Sequence, residues 1–252
     1  MNVLLAAALT LLITLSPPAY SQANETSVDF TVSPAVIDSG DVQIAFEWIT
    51  PEEFRKRSLK LMDVPDMSVL HPNNNHMIIS KMAFLSKNSF DALSHNKMNN
   101  ANYIADMLNS VGISPKADNL WGVTNQVKAY GVPFKVSFDL EFREVPGASL
   151  GAPLHDYLLD EAAAFKGPGR ERFLVLDMTR FSQLMYRNYS VIYIKELSSK
   201  ETFIVSGVIS AFNITKANTF FNYPPFSTTK GTMMKNLRNQ TLNMVRSIQG
   251  TR

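Results

Sequence analysis

The sequence predicts an α+β fold, a single mature domain with helices packed on an antiparallel sheet and a long amphipathic helix at the C-terminal end, and three stretches predict it. In "FKVSFDLEFREV", Phe134, Val136, Phe138, Leu140 and Phe142 alternate with Lys135, Ser137, Asp139, Glu141 and Arg143. Alternation of this kind gives one buried and one wet face, as in an antiparallel strand over a single core. The second stretch is a hairpin, "YSVIYIKEL" and "TFIVSGVISAFNI" joined by the polar turn Ser198-Ser199-Lys200-Glu201, with both arms rich in β-branched and aromatic residues. These strands belong at the centre of the sheet. The third stretch, residues 229–248, repeats Met234, Leu237, Thr241, Val245 and Ile248 at helical spacing, which makes one apolar stripe.

The first segment, residues 1–23, carries an apolar run from Val3 to Leu15, then Pro17-Pro18 and small residues, with Ser21 and Ala23 suiting small-x-small cleavage and Ala19 and Ser21 the other option. A bilayer span needs about 20 apolar residues. The run is therefore read as a removable signal peptide, leaving residues 24–252 as an exported domain, with the bacterial periplasm as the expected compartment. No later run is long enough to span a membrane. With Cys 0, disulfides, thiolate metal sites and cysteine nucleophiles are excluded, and a mature chain of this length can bury a sufficient core without them. A net charge of +2 without dense Lys/Arg clustering is not the footprint of a nucleic-acid binder. Asn24, Asn188, Asn213 and Asn239 open N-x-S/T sequons, which matter only in a glycosylating host.

The remaining elements follow in order. "DVQIAFEWI" alternates as a strand and runs into Thr50-Pro51-Glu52-Glu53, a capping box that starts a helix over residues 51–62. "HPNNNHMIISKMAFLS" reads as a turn and a strand over residues 77–85. The stretch "SFDALSHNKMNNANYIADMLNSVG" reads as helix in two pieces, with Ile104, Met107, Leu108 and Val111 apolar and Gly112 as the stop. Strands occupy residues 121–145, with Gly131-Val132-Pro133 as a bend. Pro153 and Gly167 frame a helix, "RFLVLDM" is a strand, "RFSQLMYR" one or two helical turns, and "FFNYPPF" a long loop before the last helix.

Four constellations could carry chemistry. Gly147-Ala148-Ser149-Leu150-Gly151 is a formal G-x-S-x-G match between a strand and a helix, and it raises the alternative of a secreted serine hydrolase using Ser149. Against it, the preceding strand alternates where an elbow strand should be wholly apolar, and the only later histidine is the adjoining His155. The match reads better as turn punctuation. His71 and His76, with Asp63 and Asp66, have spacing that places no pair on one helix face, so no metal site is expected. Asp139 and Glu141, flanked by Lys135 and Arg143, read as a solvated face, and Asp160-Glu161 as neighbours on a helix.

The fourth constellation is the C-terminal end. Beyond Glu201 every charged residue is basic, and Lys230, Lys235, Arg238 and Arg246 could contact anionic lipid weakly from the last helix. Phe220, Phe221, Tyr223, Phe226 and Met234 are the expected ligand-binding residues. Two long strands followed by an amphipathic helix resemble the helix-grip arrangement, in which a curved antiparallel sheet wraps a helix around an apolar cavity. The helix from Pro153 departs from that order. The Met- and aromatic-rich end of the chain, with no catalytic constellation assembled, points to a non-enzymatic exported protein that holds an apolar ligand or a protein partner between sheet and helix. The third reading is a structural component of an envelope complex. No cofactor motif is present.

Overall fold

Alternating and continuous apolar runs become strands that build one sheet in the computed structural model, which describes residues 30–36, 41–52, 75–129, 132–150, 168–222 and 228–250. In chain order the strands are β1 (Phe30–Val36), β2 (Asp41–Ile49), β3 (Asn75–Ser86), β4 (Ser110–Ala117), β5 (Leu120–Ala129), β6 (Val132–Val145), β7 (Glu171–Thr179), β8 (Met185–Ser198) and β9 (Glu201–Asn213). Helices α1 (His95–Met98) and α2 (Ala101–Leu108) lie between β3 and β4, and α3 (Ile214–Phe221) and α4 (Thr229–Gln249) follow β9.

The nine strands form a single sheet in the order β1-β2-β3-β9-β8-β7-β6-β5-β4. Every neighbouring pair is antiparallel. The chain therefore lays down β1 to β3, crosses with α1 and α2 to the far edge, and meanders back until β9 seals against β3. That closing pair is in register from Asn75↔Asn213 to Ser86↔Thr202. Strands in such a sheet rotate by roughly 20–25° each, so the accumulated twist curls the sheet around what lies on one face.

That occupant is α4. Met233, Met234, Leu237, Thr241, Met244, Val245 and Ile248 are its buried residues. It packs against α2, α3 and β3. Thr228 caps its start by accepting the Gly231 N–H, and Gly250 ends it in the left-handed region at φ 70°. Near its start Lys230 Nζ lies 5.8 Å from the Trp48 ring centre, and near its end Gln249 Nε2 donates to Leu85 O at 3.3 Å while the Asn88 amide donates to Ile248 O. Tied at both ends, α4 runs alongside β3 in the same direction.

The C-terminal expectation of a helix gripped by antiparallel strands is met in outline, but the described residues are mostly sheet, with fewer helices than an even α+β mixture implies. The alternation of β6 holds on its apolar face, where Val136, Phe138, Leu140 and Phe142 are buried. The β8–β9 pair is central, as expected. Several elements differ. Residues "RFSQLMYR" are not helical: Arg180 and Leu184 sit at φ 52° and 70°, and β8 begins at Met185. The reason is pairing with β6, since Ser182 N donates to Ser137 O at 2.8 Å, Gln183 Nε2 donates to Lys135 O at 2.9 Å, and Phe181 stacks on Phe138 at 4.8 Å. Helix α2 stops at Asn109, φ 50°, and not at Gly112, because Asn tolerates the left-handed cap. Val111 accordingly lies exposed in β4. Phe220 and Phe221 belong to α3, which Asn213 caps by accepting the Lys216 N–H at 3.0 Å. Almost all of the expected helix at 51–62, and the helix from Pro153, lie outside the described residues.

Candidate functional site: the face that grips the helix

Successive side chains of a strand point to opposite faces, so parity assigns each residue of β9 to one side. Ile204 and Phe212 join the apolar cluster that contains α4, while Phe203, Val205, Ile209 and Ala211 join a second cluster on the other face. On the gripping side β9 therefore presents Thr202, Ile204, Ser206, Val208, Ser210 and Phe212. All are buried except Val208, which is partly exposed although it sits mid-strand near the centre of the sheet. Its flanking partners are Ser80 of β3 and Ser190 of β8. The middle of the gripping face is thus not fully closed at Val208.

Around that point the face is polar. Asn188 Nδ2 donates to Ser210 Oγ at 3.0 Å, and Ser190 Oγ donates to Asn188 Oδ1 at 3.1 Å. Ser206 Oγ is buried and has no hydrogen-bond partner among the described residues. On α2, the Tyr103 hydroxyl is likewise buried without a partner, and burial pushes its pKa well above the ordinary phenol value. Sequence reasoning missed this patch, although Thr202, Ser206 and Ser210 recur at intervals of four inside an otherwise apolar strand. The burial of Asn188 also explains why its sequon is not a surface acceptor.

Of the residues expected to bind ligand, Phe221 and Met234 are brought together in the apolar cluster of the gripping face, with the Phe221 ring 6.3 Å from that of Phe134. Phe220 lies on α3; Tyr223 and Phe226 lie outside the described residues. On α4, Lys235, Arg238 and Arg246 are exposed and Lys230 is partly so.

Among the described residues the other constellations are not assembled into sites; His155, Asp160 and Glu161 lie outside them. Ser149 is exposed in a short 3-10 turn, Gly147–Ser149, after a strand whose neighbours are both antiparallel, so the parallel-sheet context of a nucleophile elbow is missing. No histidine among the described residues bonds it: His76 Nδ1 accepts from Trp48 Nε1 at 3.1 Å, and His95 Nε2 donates to Phe142 O at 2.9 Å. The bond from Trp48 uses the His76 lone pair that a metal would need. Among the described residues no group of three or more potential ligands could hold a metal ion; Asp63, Asp66 and His71 lie outside them. Asp139 is not the solvated carboxylate expected, because Lys116 and Arg180 both pair with it and its side chain is 6% exposed. Glu141, by contrast, is exposed.

Gly147 has a packing reason instead. A Cβ there would meet Phe173 Cε2 at 2.6 Å. Gly147→Ala is expected to cost about 1–3 kcal/mol by overpacking, read as a lower urea midpoint. Ser149→Ala should stay within about 0.5 kcal/mol of the parent, as exposed positions do.

Two open clefts lie away from the gripped helix. One, about 530 Å³, is lined by residues 144–147 and 171–173; the other, about 500 Å³, includes Lys116, Asp139 and Arg180. Beside the first, Arg172 Nη1 donates to Phe90 O at 2.9 Å, and Arg170 bonds both Asp91 and Glu196. The hydrogen bond from Arg170 holds the Glu196 carboxyl below its usual range. Every side-chain charge in these clefts whose contacts are described is engaged by an opposite one, which gives them the character of structural ion pairs.

Neither a protein-family model nor a curated protein sequence matches the chain. Solved structures do. A conserved protein from Geobacillus kaustophilus is 8% identical with a TM-score of 0.42, covering 70% of this chain and 93% of that one. A START superfamily protein from Mycobacterium smegmatis is 9% identical with a TM-score of 0.40, covering 68% and 94%. The human StarD13 lipid transfer and protein localization domain is 9% identical with a TM-score of 0.40, covering 99% and 98%. Likeness at this level carries no functional information; among the described residues no helix is long and apolar enough to cross a membrane.

Proposed function

We propose that this protein is an exported, non-enzymatic binding protein that holds an apolar small molecule between the gripping face of its sheet and α4. The observation that carries the reading is the partly exposed Val208 in the middle of the gripping face, with a small neutral polar patch around it and the apolar cluster of α4 beyond. A well-packed core leaves no such opening at its centre, and small-molecule sites are concave and mostly apolar with a few polar groups. Met233, Met234 and Met244 on α4 supply flexible, polarizable walls that adapt to an occupant. Phe221 and Met234 are its lining residues, with Phe220, Tyr223 and Phe226 assigned to the same site. Export rests on the segment 1–23, and the basic residues Lys230, Lys235, Arg238 and Arg246 offer a weak contact with anionic lipid where an apolar cargo is collected.

Native mass spectrometry of the chain purified from its own host tests this, together with titration by the neutral dye Nile red. The expected result is a bound adduct, or saturable dye binding that Met234→Asp weakens by at least about tenfold, since a carboxylate in an apolar wall costs several kcal/mol to desolvate. A chain without adducts and without dye binding ends the proposal. Labelling by a fluorophosphonate that depends on Ser149 would end its non-enzymatic part.

A further inference from the structure

The polar patch in the floor of the site has no structural use that accounts for all of it. Ser206 Oγ is fully buried with no partner among the described residues. Leaving a hydroxyl in that condition costs about 1–3 kcal/mol. Its neighbours on the same face, Ser210, Asn188 and Ser190, bond to one another yet retain capacity: the Ser210 proton, the second Asn188 amide proton and the Ser190 lone pairs appear in no hydrogen bond among the described residues. All of them surround Val208, where the face is accessible.

The chemistry of the patch is also selective. On the gripping face at this level the described residues of β3, β9, β8 and β7 are Ser80, Met82, Ser206, Val208, Ser210, Asn188, Ser190 and Leu176, none of them ionisable. Of the ionisable groups on this side, Arg172, Glu144 and Glu196 lie at the far end of the strands, His76 lies opposite Phe212 at the other end, and Lys230 of α4 sits over Trp48, two strands away from Ser210. Neutral donors and acceptors without a counter-charge suit a hydroxyl or carbonyl, whereas an ionised carboxylate or ammonium would enter unpaired at a large desolvation cost.

From this we infer that the ligand is a neutral amphipathic molecule whose hydroxyl or carbonyl is received by Ser206 together with Asn188, Ser190 and Ser210, while its apolar body lies under α4. This inference rests on the binding function proposed above. It assigns the central serines of β9 as specificity residues.

The test is displacement of Nile red from the full chain by three probes of equal chain length: 1-dodecanol, dodecanoate and dodecylammonium. The alcohol is expected to displace the dye at concentrations at least about tenfold below either ion, because only the ions are desolvated without a partner. Ser206→Ala should weaken the alcohol by about fivefold, one hydrogen bond, when displacement is referred to the variant's own Nile red affinity, should weaken either ion less, and should raise the unliganded Tm by about 2–4 °C as the unpaired hydroxyl is removed. Equal displacement by all three probes, or an unchanged alcohol-to-ion ratio in Ser206→Ala, overturns the inference while leaving apolar binding intact. Failure of Nile red to bind overturns the binding function and this inference with it.

Discussion

Val245→Asp is expected to abolish folding, or to lower the stability of the protein by more than about 4 kcal/mol, whereas Arg238→Asp on the same helix should change it by less than about 0.5 kcal/mol. Val245 is fully buried within the apolar cluster of the gripping face, whereas Arg238 is exposed. A carboxylate placed at Val245 must either stay charged in an apolar surround or take up a proton. Its folded-state pKa would then rise above the unfolded value, so the charge part of the penalty is relieved as pH falls through the folded-state pKa and is gone below the unfolded value of about 4, while the cost of burying the neutral carboxyl remains. Urea midpoints of both variants at pH 7, and of Val245→Asp at mildly acidic pH, provide the measurement. An unchanged midpoint for Val245→Asp would mean that the terminal helix is not docked on the sheet in solution, and the ligand site would lose its roof.

Arg187→Met is expected to cost about 3–5 kcal/mol, and the double change Asp177→Leu with Arg187→Met to restore most of it. On the face opposite α4, Arg187 Nε donates to Asp177 Oδ1 at 2.8 Å and Nη2 reaches Asp177 Oδ2 at 2.5 Å, in a bidentate pair whose side chains are 12% and 9% exposed. Taking two charges out of water nearly cancels their attraction, so the pair adds little net stability. Removing one partner leaves the other buried and unpaired, which is the expensive state. Tyr189, 5.6 Å under the Arg187 guanidinium, has its hydroxyl pKa raised mainly by burial, with Arg143, which also donates a hydrogen bond to it, opposing the rise. A coupling energy below about 0.5 kcal/mol in the double-mutant cycle would show that water reaches the pair.

The sequence by itself determined the elements whose environment is written in their side-chain period. The alternation of β6, the Val/Ile/Phe-rich arms of β8 and β9 and the stripe of α4 each state which side is apolar, and the structure places those sides in the core. Edge strands were illegible for the opposite reason. β1 and β4 each carry a proline and a register irregularity and pair on one side only, as protected edges do, so no apolar period marks them. Local preference also lost to pairing at residues 180–184, which bond to β6 and not to their own turn. Of the proposed site, only the apolar half was legible in the sequence: Phe221 and Met234 were expected there, and both are buried in the apolar cluster of the gripping face. Its polar half needed the tertiary structure. Ser80, Asn188, Ser190, Ser206 and Ser210 come from strands up to 130 positions apart in sequence by the span from Ser80 to Ser210, and only the β3–β9 closure sets them side by side. Period reports which way a side chain points; which other side chains share that face is decided by strand order, and strand order is a property of the whole chain.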